Sequence, residues 1–309
     1  MCVLYGDFET CTDENNKHVA YMLWVYSPEL KKMFIFDGLD CANQFKNFIQ
    51  KAYKGKWLNI YFHNLGFDFS YLINDFYIIR DPVIKDNQLF EVTCKVGDID
   101  VSFRDSYKLL PMKLMDIPAF CGSWEFEKEV YPYELNTLVN LIDNMGECNY
   151  SDIADEKKWI IIKENCKWLN FEIDEDTFDL WQYSGYYCER DVMVLFNGMG
   201  TLAKVCRETI NLDVFEFLSL SSLADWYLYN ENVYDDIYQI GGVCRDFIQN
   251  CVVGGWVMCN NNEKQVFDKD IDGDVMQDFD AVSLYPSAMI WLIGDYGLPC
   301  GIPKMLNAD

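Results

Sequence analysis

The sequence predicts an α/β protein that contains one large domain or two domains of medium size. Its 309 residues exceed the length of a small domain. Half of the residues are hydrophobic and 16% are aromatic, which supplies a core and argues against disorder. Stretches with strand periodicity come first, and helices then alternate with strands, a pattern typical of layered α/β or α+β folds.

The periodicity of apolar residues predicts the individual strands and helices. The predicted strands are residues 3–9, 20–26, 32–36, 58–63, 91–96, 99–105 and 275–280. The predicted helices are residues 41–53, a helix that begins within 69–73, and residues 156–169, 177–196 and 218–229. Composition changes near residues 198–211, so we expect two domains, residues 1–210 and 211–309.

The charge and the cysteines limit the possible functions. The formal net charge is −25, whereas affinity for nucleic acids comes largely from Lys and Arg at phosphates. Charge summed over a chain says little about one groove, however, and the acids concentrate in residues 143–156, 172–179 and 268–280. The 13 cysteines are scattered and only two histidines are present, which argues against a zinc site and indicates reduced, mostly buried thiols.

Neither a membrane span nor a secretion signal is expected. No apolar run approaches the roughly 18–20 residues that cross a bilayer. The N-terminus has no basic start followed by an apolar segment. We therefore expect a soluble, intracellular protein.

Four carboxylates form a candidate catalytic set. Asp7 and Glu9 lie two apart on a predicted strand, so both point to one face. Asp68 follows the predicted strand at residues 58–63. Tyr187 and Asp191 lie four apart, which places both on one face of a helix.

Such a set fits phosphodiester hydrolysis with two metal ions. Two divalent ions about 3.5–4 Å apart can activate a water and stabilise the leaving oxygen. Mg²⁺ or Mn²⁺ prefers carboxylate oxygens and water, and the Tyr187 hydroxyl could orient the water or act as an acid/base partner. Each element alone is a weak signal, because acids on exposed strands and Tyr/Asp pairs on helices are common.

The order of these elements resembles the three exonuclease motifs of protein-primed family B DNA polymerases, the enzymes of small tailed phages, adenoviruses and linear plasmids. The matching strings are DFET at residues 7–10, HNLGFD at residues 63–68 and YCERD at residues 187–191. The resemblance implies a ribonuclease H-like domain, a mixed sheet flanked by helices, with 3′→5′ exonuclease activity. It also implies that Asp7, Glu9, Asp68 and Asp191 hold two Mg²⁺ or Mn²⁺ ions.

The resemblance implies roles for further residues of the same domain. Thr10, Asn64 and Phe67 match positions that hold the frayed primer end, together with His63. Ser106 begins a motif that contacts single-stranded DNA and the priming protein, although Tyr107 replaces its usual Leu. Lys128 matches a lysine that assists catalysis, where a cation would stabilise charge on the scissile phosphate.

The second domain resembles the start of a polymerase palm. The string DAVSLYP at residues 280–286 matches the first palm motif of family B polymerases. The resemblance implies that Asp280 binds catalytic metals and that Ser283, Leu284 and Tyr285 contact the incoming nucleotide, with Tyr285 rejecting ribonucleotides. The glycines of the family's Tyr-x-Gly-Gly linker, which contacts DNA, are present as Gly254 and Gly255, but Val252 replaces the Tyr.

Several alternatives remain open. No second palm carboxylate motif follows, so we expect no primer extension by this chain alone, and a separately encoded C-terminal half is a possible partner. A free-standing nuclease with a vestigial palm is a second hypothesis. A non-catalytic module that binds a priming protein or a DNA end is a third, and the acidic charge favours it. Residues 268–279 begin like an EF-hand, but Phe279 occupies the position of the bidentate Glu, which favours an acidic turn.

Overall fold

The computed structural model describes residues 2–122, 129–235, 240–252 and 282–297. The chain divides into two compact units, Met1–Tyr227 and Leu228–Asp309. The boundary between the two units lies within the helix that starts at Leu220. Leu223 of this helix and Val214 before it belong to a core of the first unit.

An eight-stranded mixed sheet forms the centre of the first unit. Its strands are β1 (Cys2–Thr12), β2 (His18–Ser27), β3 (Lys32–Asp37), β4 (Leu58–Phe62), β5 (Tyr77–Ile78), β6 (Val83–Lys85), β7 (Gln88–Val96) and β8 (Ile99–Asp105). The order is β3-β2-β1-β4-β8-β7-β5, with β6 paired to β7. β1 pairs with β4 and β4 with β8 in parallel, whereas the other pairs are antiparallel. This arrangement confirms the predicted α/β fold of ribonuclease H-like type.

Helices flank this sheet. They are α1 (Cys41–Ala52), α2 (Leu65–Leu72), α3 (Ile117–Cys121), α4 (Glu156–Leu169), α5 (Leu180–Ile210) and α6 (Leu220–Asn230). Short 3₁₀ turns lie at Ser106–Lys108, Leu114–Asp116, Tyr133–Leu135, Tyr150–Asp152 and Val214–Glu216, and a π-helical turn lies at Val139–Asp143. A separate antiparallel pair joins β9 (Glu147–Asn149) to β10 (Thr177–Asp179).

The alternation of β1 residues divides the interior into cores on its two faces. Leu4 and Phe8 belong to the core that also contains apolar residues of α1 and α2. Tyr5 and Cys11 point to the opposite face and belong to two cores built with α5. Since odd-numbered β1 residues share that face, Asp7 and Glu9 are directed towards α5.

Two predicted helices had wrong boundaries. The helix expected from residue 177 starts at Leu180, because Thr177–Asp179 form β10 and Asp179 caps the helix by accepting from the Gln182 N–H. This helix also continues to Ile210, where Asn211 ends it in a left-handed conformation with φ 56°. α2 starts at Leu65, earlier than expected, directly after left-handed Asn64 (φ 72°).

The second unit contains two further described helices, α7 (Gly242–Cys251) and α8 (Leu284–Asp295). The strand predicted at residues 275–280 and the EF-hand-like segment at 268–279 lie outside the described residues. In the part of the chain that the structure describes, no helix is both long enough and apolar enough to cross a membrane. The cysteines in that part are free thiols, most of them buried.

Candidate active site

Asp7 and Glu9 lie where β1 loses its parallel neighbour. The pairing of β1 with β4 ends at Tyr5, whereas its antiparallel pairing with β2 continues past Glu9. One edge of β1 is therefore open beside the two acids, at the carboxyl end of a parallel strand. Glu9 is only 6% exposed, so this edge places carboxylates in a partly dry environment.

Asp68 lies in the first turn of α2, the helix that follows β4, and its carboxylate lies near that of Asp7. The N–H of Phe8 donates to its carboxylate, which ties the side chain to β1 between the other two acids. Burial raises the pKa of Asp68 well above its ordinary value, and the charge of Asp7 raises it further. This carboxylate therefore disfavours its charged form unless a cation lies nearby.

α5 brings Tyr187 and Asp191 to the same acids because it packs closely on β2. A Cβ on Gly185 would lie 3.1 Å from the Trp24 ring, so the absence of a side chain permits this close approach. Asp191 is 3% exposed. Burial raises the pKa of the Tyr187 hydroxyl, and the charges of Asp191 and Glu9 add to this rise. Tyr187 is therefore a neutral hydroxyl at any physiological pH.

The Tyr187 hydroxyl lies 2.8 Å from the hydroxyl of Tyr133, which is 61% exposed. Tyr131, two residues earlier, contacts Ser184 of α5 through its hydroxyl at 2.6 Å. Asn136 donates from Nδ2 to the Thr10 carbonyl at 2.6 Å. The segment Tyr131–Asn136 thus covers the open edge of β1 and connects it to α5.

These side chains surround a cleft of about 300 Å³. Its lining residues are Asp7, Phe8, Glu9, Thr10, Thr12, His18, Phe67, Tyr133, Asn136, Tyr187 and Asp191. The structure thus brings together six of the predicted site residues, with Asp68 adjacent through its contact with Phe8. Phe67 is 44% exposed at this cleft, which leaves part of its ring available to contact a base.

A second, smaller cleft of about 170 Å³ lies on the other side of the α2 N-terminus. It is lined by Asn64, Gly66, Asn87, Gln88, Leu89, Asp105, Tyr107 and Lys108. Lys108 donates to Gln88 Oε1 at 2.7 Å and lies 3.5 Å from Asp105 Oδ2. Asn64 and Phe67 therefore border different clefts, although they belong to one predicted motif.

His63 and Ser106 lie beneath the surface between these clefts. His63 Nδ1 lies 3.0 Å from Ser106 Oγ, and His63 Nε2 lies 2.9 Å from the Met112 carbonyl. Ser106 is fully buried and donates to the Phe62 carbonyl. Direct contact of its hydroxyl with DNA stays a prediction, and the exposed side chain of this motif is Tyr107 at 39%.

The remaining predicted residues fall elsewhere. Ser283 precedes α8, and Leu284 and Tyr285 begin it with exposed side chains. Lys128, Gly254, Gly255 and Asp280 lie outside the described residues. Their roles stay predictions.

Sequence analysis did not predict five residues that line the acidic cleft: Phe8, Thr12, His18, Tyr133 and Asn136. Tyr133 contacts Tyr187 across 54 residues, and Asn136 contacts Thr10 across 126. No local spacing signals such contacts. Cys188 is another residue not predicted, although its ligand atom lies within 4.8 Å of those of Asp7 and Glu9.

The chemistry of the carboxylates fits a hard divalent cation. Asp7, Glu9 and Asp191 line one cleft. Asp68 does not line it, but its buried carboxylate interacts with Asp7. The charges of Glu9, Asp7 and Asp191 all raise the pKa of the buried Cys188 thiol, which shows that these acids converge on one point of α5. Clustered buried acids repel one another, and Mg²⁺ or Mn²⁺ would relieve this repulsion through the oxygen ligands it prefers.

The sheet and the carboxylate cleft define a ribonuclease H-like protein with a candidate metal-dependent site. Residues 46–309 match the model of a protein family described as DNA polymerase type B, organellar and viral. The chain therefore belongs to the organellar and viral type B DNA polymerases. This confirms the family B relationship that the motifs predicted.

Curated relatives agree with this family, and a solved structure has a similar fold. A probable DNA polymerase of Ascobolus immersus is 25% identical over 98% of this chain, and a DNA polymerase of Kluyveromyces lactis is 23% identical over 88%. The alignments cover 25% and 28% of those relatives, so the chain spans about a quarter of their length. The fold is similar to phi29 DNA polymerase complexed with single-stranded DNA, with a TM-score of 0.52 and 14% identity over 84% of this chain and 41% of that one.

Proposed function

We propose that residues 1–210 form a 3′→5′ exonuclease domain that removes nucleotides from single-stranded DNA ends. The observation that carries this proposal is that three carboxylates of β1 and α5 line one cleft, with the Asp68 carboxylate of α2 beside them. We propose that Asp7, Glu9, Asp68 and Asp191 hold two Mg²⁺ or Mn²⁺ ions. When bound, such a pair activates a water and stabilises the leaving 3′-oxygen.

The protein's own residues would position the strand and the water. Phe67 offers an exposed ring at the cleft, and stacking of a base on an aromatic ring contributes about 1–3 kcal/mol. Thr10 lines the same cleft beside Glu9. The neutral Tyr187 hydroxyl, held by Tyr133, would orient the attacking water rather than remove its proton. Lys128 would stabilise charge on the scissile phosphate.

Loss of single carboxylates tests the nuclease. We expect Asp7→Ala and Asp191→Ala each to abolish Mg²⁺-dependent degradation of a labelled single-stranded oligonucleotide. Glu175→Ala, which removes an exposed acid that does not line the cleft, should retain full activity. Wild-type rates in both Asp variants would refute the proposed mechanism.

We further propose that this chain is the exonuclease-bearing N-terminal part of a protein-primed DNA polymerase. The names of its relatives and the span of the family match support this proposal. Residues 211–309 would begin the palm, with Asp280 at the catalytic metals, Gly254 and Gly255 at DNA, and Ser283, Leu284 and Tyr285 at the nucleotide. Polymerisation would require a C-terminal segment that supplies the second palm carboxylate.

Primer extension tests this second proposal. We expect the chain alone to incorporate no nucleotide on a primed template. Addition of a C-terminal polymerase segment should restore incorporation, and Asp280→Ala should remove it again. Unaffected incorporation in the Asp280 variant would contradict the palm assignment. Initiation without a DNA primer should require a terminal protein, whose side-chain hydroxyl would accept the first nucleotide in place of the primer 3′-hydroxyl.

A module that only binds a priming protein or DNA end is the alternative that the net charge of −25 favours. Salt dependence separates DNA from a protein partner. DNA affinity should fall steeply between low and moderate salt when phosphate contacts dominate.

A further inference from the structure

Cys188 lies among the acids of the cleft but has no role in the hydrolysis proposed above. It follows Tyr187 and precedes Asp191 on α5, and it is fully buried. Its sulfur and carboxylate oxygens of Asp7 and Glu9 all lie within 4.8 Å of one another. A soft ligand atom is therefore placed beside two hard ones.

The backbone of the sheet sets the position of this sulfur. Cys188 Sγ donates to the Asp7 carbonyl at 3.4 Å, and the Trp24 N–H donates to the sulfur. Asp7 and Trp24 are direct partners in the β1–β2 pairing. The sulfur thus rests on a rigid pair of strands, at the point where Gly185 lets α5 approach β2.

An amide in the wall of the same cleft is a second, independent sign of a ligand. Asn136 is 8% exposed and lines the cleft. Its Nδ2 bond to the Thr10 carbonyl fixes the amide orientation, and within the described residues its Oδ1 has no hydrogen-bond partner. A buried acceptor without a donor is costly, so a cation or a donor from a ligand would stabilise this wall.

We propose that Asp7, Glu9 and Cys188 form a site for a thiophilic divalent cation of the zinc class, and that this cation inhibits the nuclease by displacing Mg²⁺. Zinc accepts sulfur and carboxylate oxygen together at about 2.0–2.3 Å, and movements of about 1 Å would close the set. Sulfur ligands favour zinc over Mg²⁺ or Mn²⁺. Coordination would replace the thiol proton, which would pass to solvent. The inhibition rests on the proposed nuclease function, whereas the binding does not.

Cadmium reports sulfur coordination directly, because a thiolate–cadmium bond gives an ultraviolet charge-transfer absorption. We expect the full chain, reduced and free of metal, to show this absorption on titration with Cd²⁺. Cys188→Ser should remove one equivalent of the band. Cys94→Ser is the matched control, since Cys94 is equally buried but belongs to the core beneath α1 and α2. Asp7→Asn should weaken Cd²⁺ binding roughly tenfold or more, as expected for lost metal contacts.

Inhibition provides the functional measurement. In excess Mg²⁺, the Zn²⁺ concentration that halves nuclease activity should be roughly tenfold higher for Cys188→Ser than for the wild type. The Cys94→Ser chain should match the wild type. If serine perturbs folding, Cys188→Ala serves as the second variant, since it also removes the sulfur.

The outcomes separate the two proposals. Equal Cd²⁺ absorption and equal Zn²⁺ sensitivity in the wild type and both Cys188 variants would overturn the site, as would Cd²⁺ binding that Asp7→Asn leaves unchanged. A wild-type chain that binds Cd²⁺ through Cys188 but degrades no DNA would instead refute the nuclease and leave the cation site standing.

Discussion

Asp68 and Asp105 lie near the ends of two neighbouring parallel strands and are each 2% exposed, yet the charges around them differ. Asp105, at the end of β8, accepts from the Asn64 N–H at 2.9 Å and the Tyr107 N–H at 3.0 Å, and it lies 3.5 Å from Lys108. Asp68, beyond the end of β4, accepts from the Phe8 N–H and faces the charge of Asp7. One acid is surrounded by donors, and the other lies against another acid.

This difference separates a structural carboxylate from a functional one. Asp105 joins the turn after β4 to the end of β8, so its charge stabilises the fold. Asp68 lies where its charge destabilises the isolated protein. Proteins retain such a residue where function requires it, and a divalent cation would reverse the sign of its contribution.

The largest effect is expected on catalysis from Asp68→Asn. This change keeps the shape of the side chain and removes a proposed metal ligand, so Mg²⁺-dependent exonuclease activity should fall about a thousandfold, or about 4 kcal/mol. Single-turnover degradation of a labelled oligonucleotide measures it. Asp98→Asn in the exposed β7–β8 turn is the control and should behave as the wild type. An active Asp68→Asn enzyme would remove Asp68 from the site.

Asp105→Ala should instead reduce stability. It leaves two backbone N–H groups without their acceptor and the Lys108 ammonium without its counter-charge, which should lower the free energy of unfolding by about 2–4 kcal/mol. Denaturant titration measures this change. Asp98→Ala should stay within about 0.5 kcal/mol of the wild type. Equal stability of the Asp105 and Asp98 variants would show that the donors find other partners.

The pH dependence of stability should report the charge of Asp68. Because the folded-state pKa of Asp68 is raised, its protonated form stabilises the fold fully below the unfolded pKa of about 3.9. This stabilisation is lost as pH rises through the folded pKa. In EDTA, Asp68→Asn should therefore unfold a few degrees above the wild type at pH 8, with the difference fading in acid. At pH 8, Mg²⁺ should reduce the difference in unfolding temperature between the variant and the wild type. A difference that Mg²⁺ leaves unchanged would argue against cation binding at Asp68.

The smallest effect is expected from Tyr187→Phe. Loss of the hydroxyl that contacts Tyr133 should lower the exonuclease rate about tenfold. Since burial keeps the pKa of Tyr187 far above neutrality, the shape of the rate profile between pH 6 and 9 should not change. A lost basic limb in the variant would instead indicate that Tyr187 titrates during the reaction.

The sequence predicted much of the sheet because strand periodicity is a local property. The predicted strands at residues 20–26 and 99–105 correspond to β2 and β8. The start of α5 could not be predicted in the same way. Thr177 pairs with Asn149, a partner distant along the chain, and this pairing replaces the first helical turn.

The candidate site shows the same limit. Asp7, Glu9, Asp68 and Asp191 were predicted because their order resembles family motifs, and the fold places them around one cleft. Tyr133 and Asn136 carry no motif of their own. They reach the cleft because the segment that contains them covers the open edge of β1.

By itself, the sequence determined most of the long strands and helices, the placement of Asp7 and Glu9 on one face of β1 and the relationship to family B polymerases. Only the tertiary structure decided which groups surround each acid. These surroundings depend on burial and on contacts between residues far apart in sequence. They determine whether a buried carboxylate stabilises the fold, as Asp105 does, or destabilises it unless a cation binds, as we expect for Asp68.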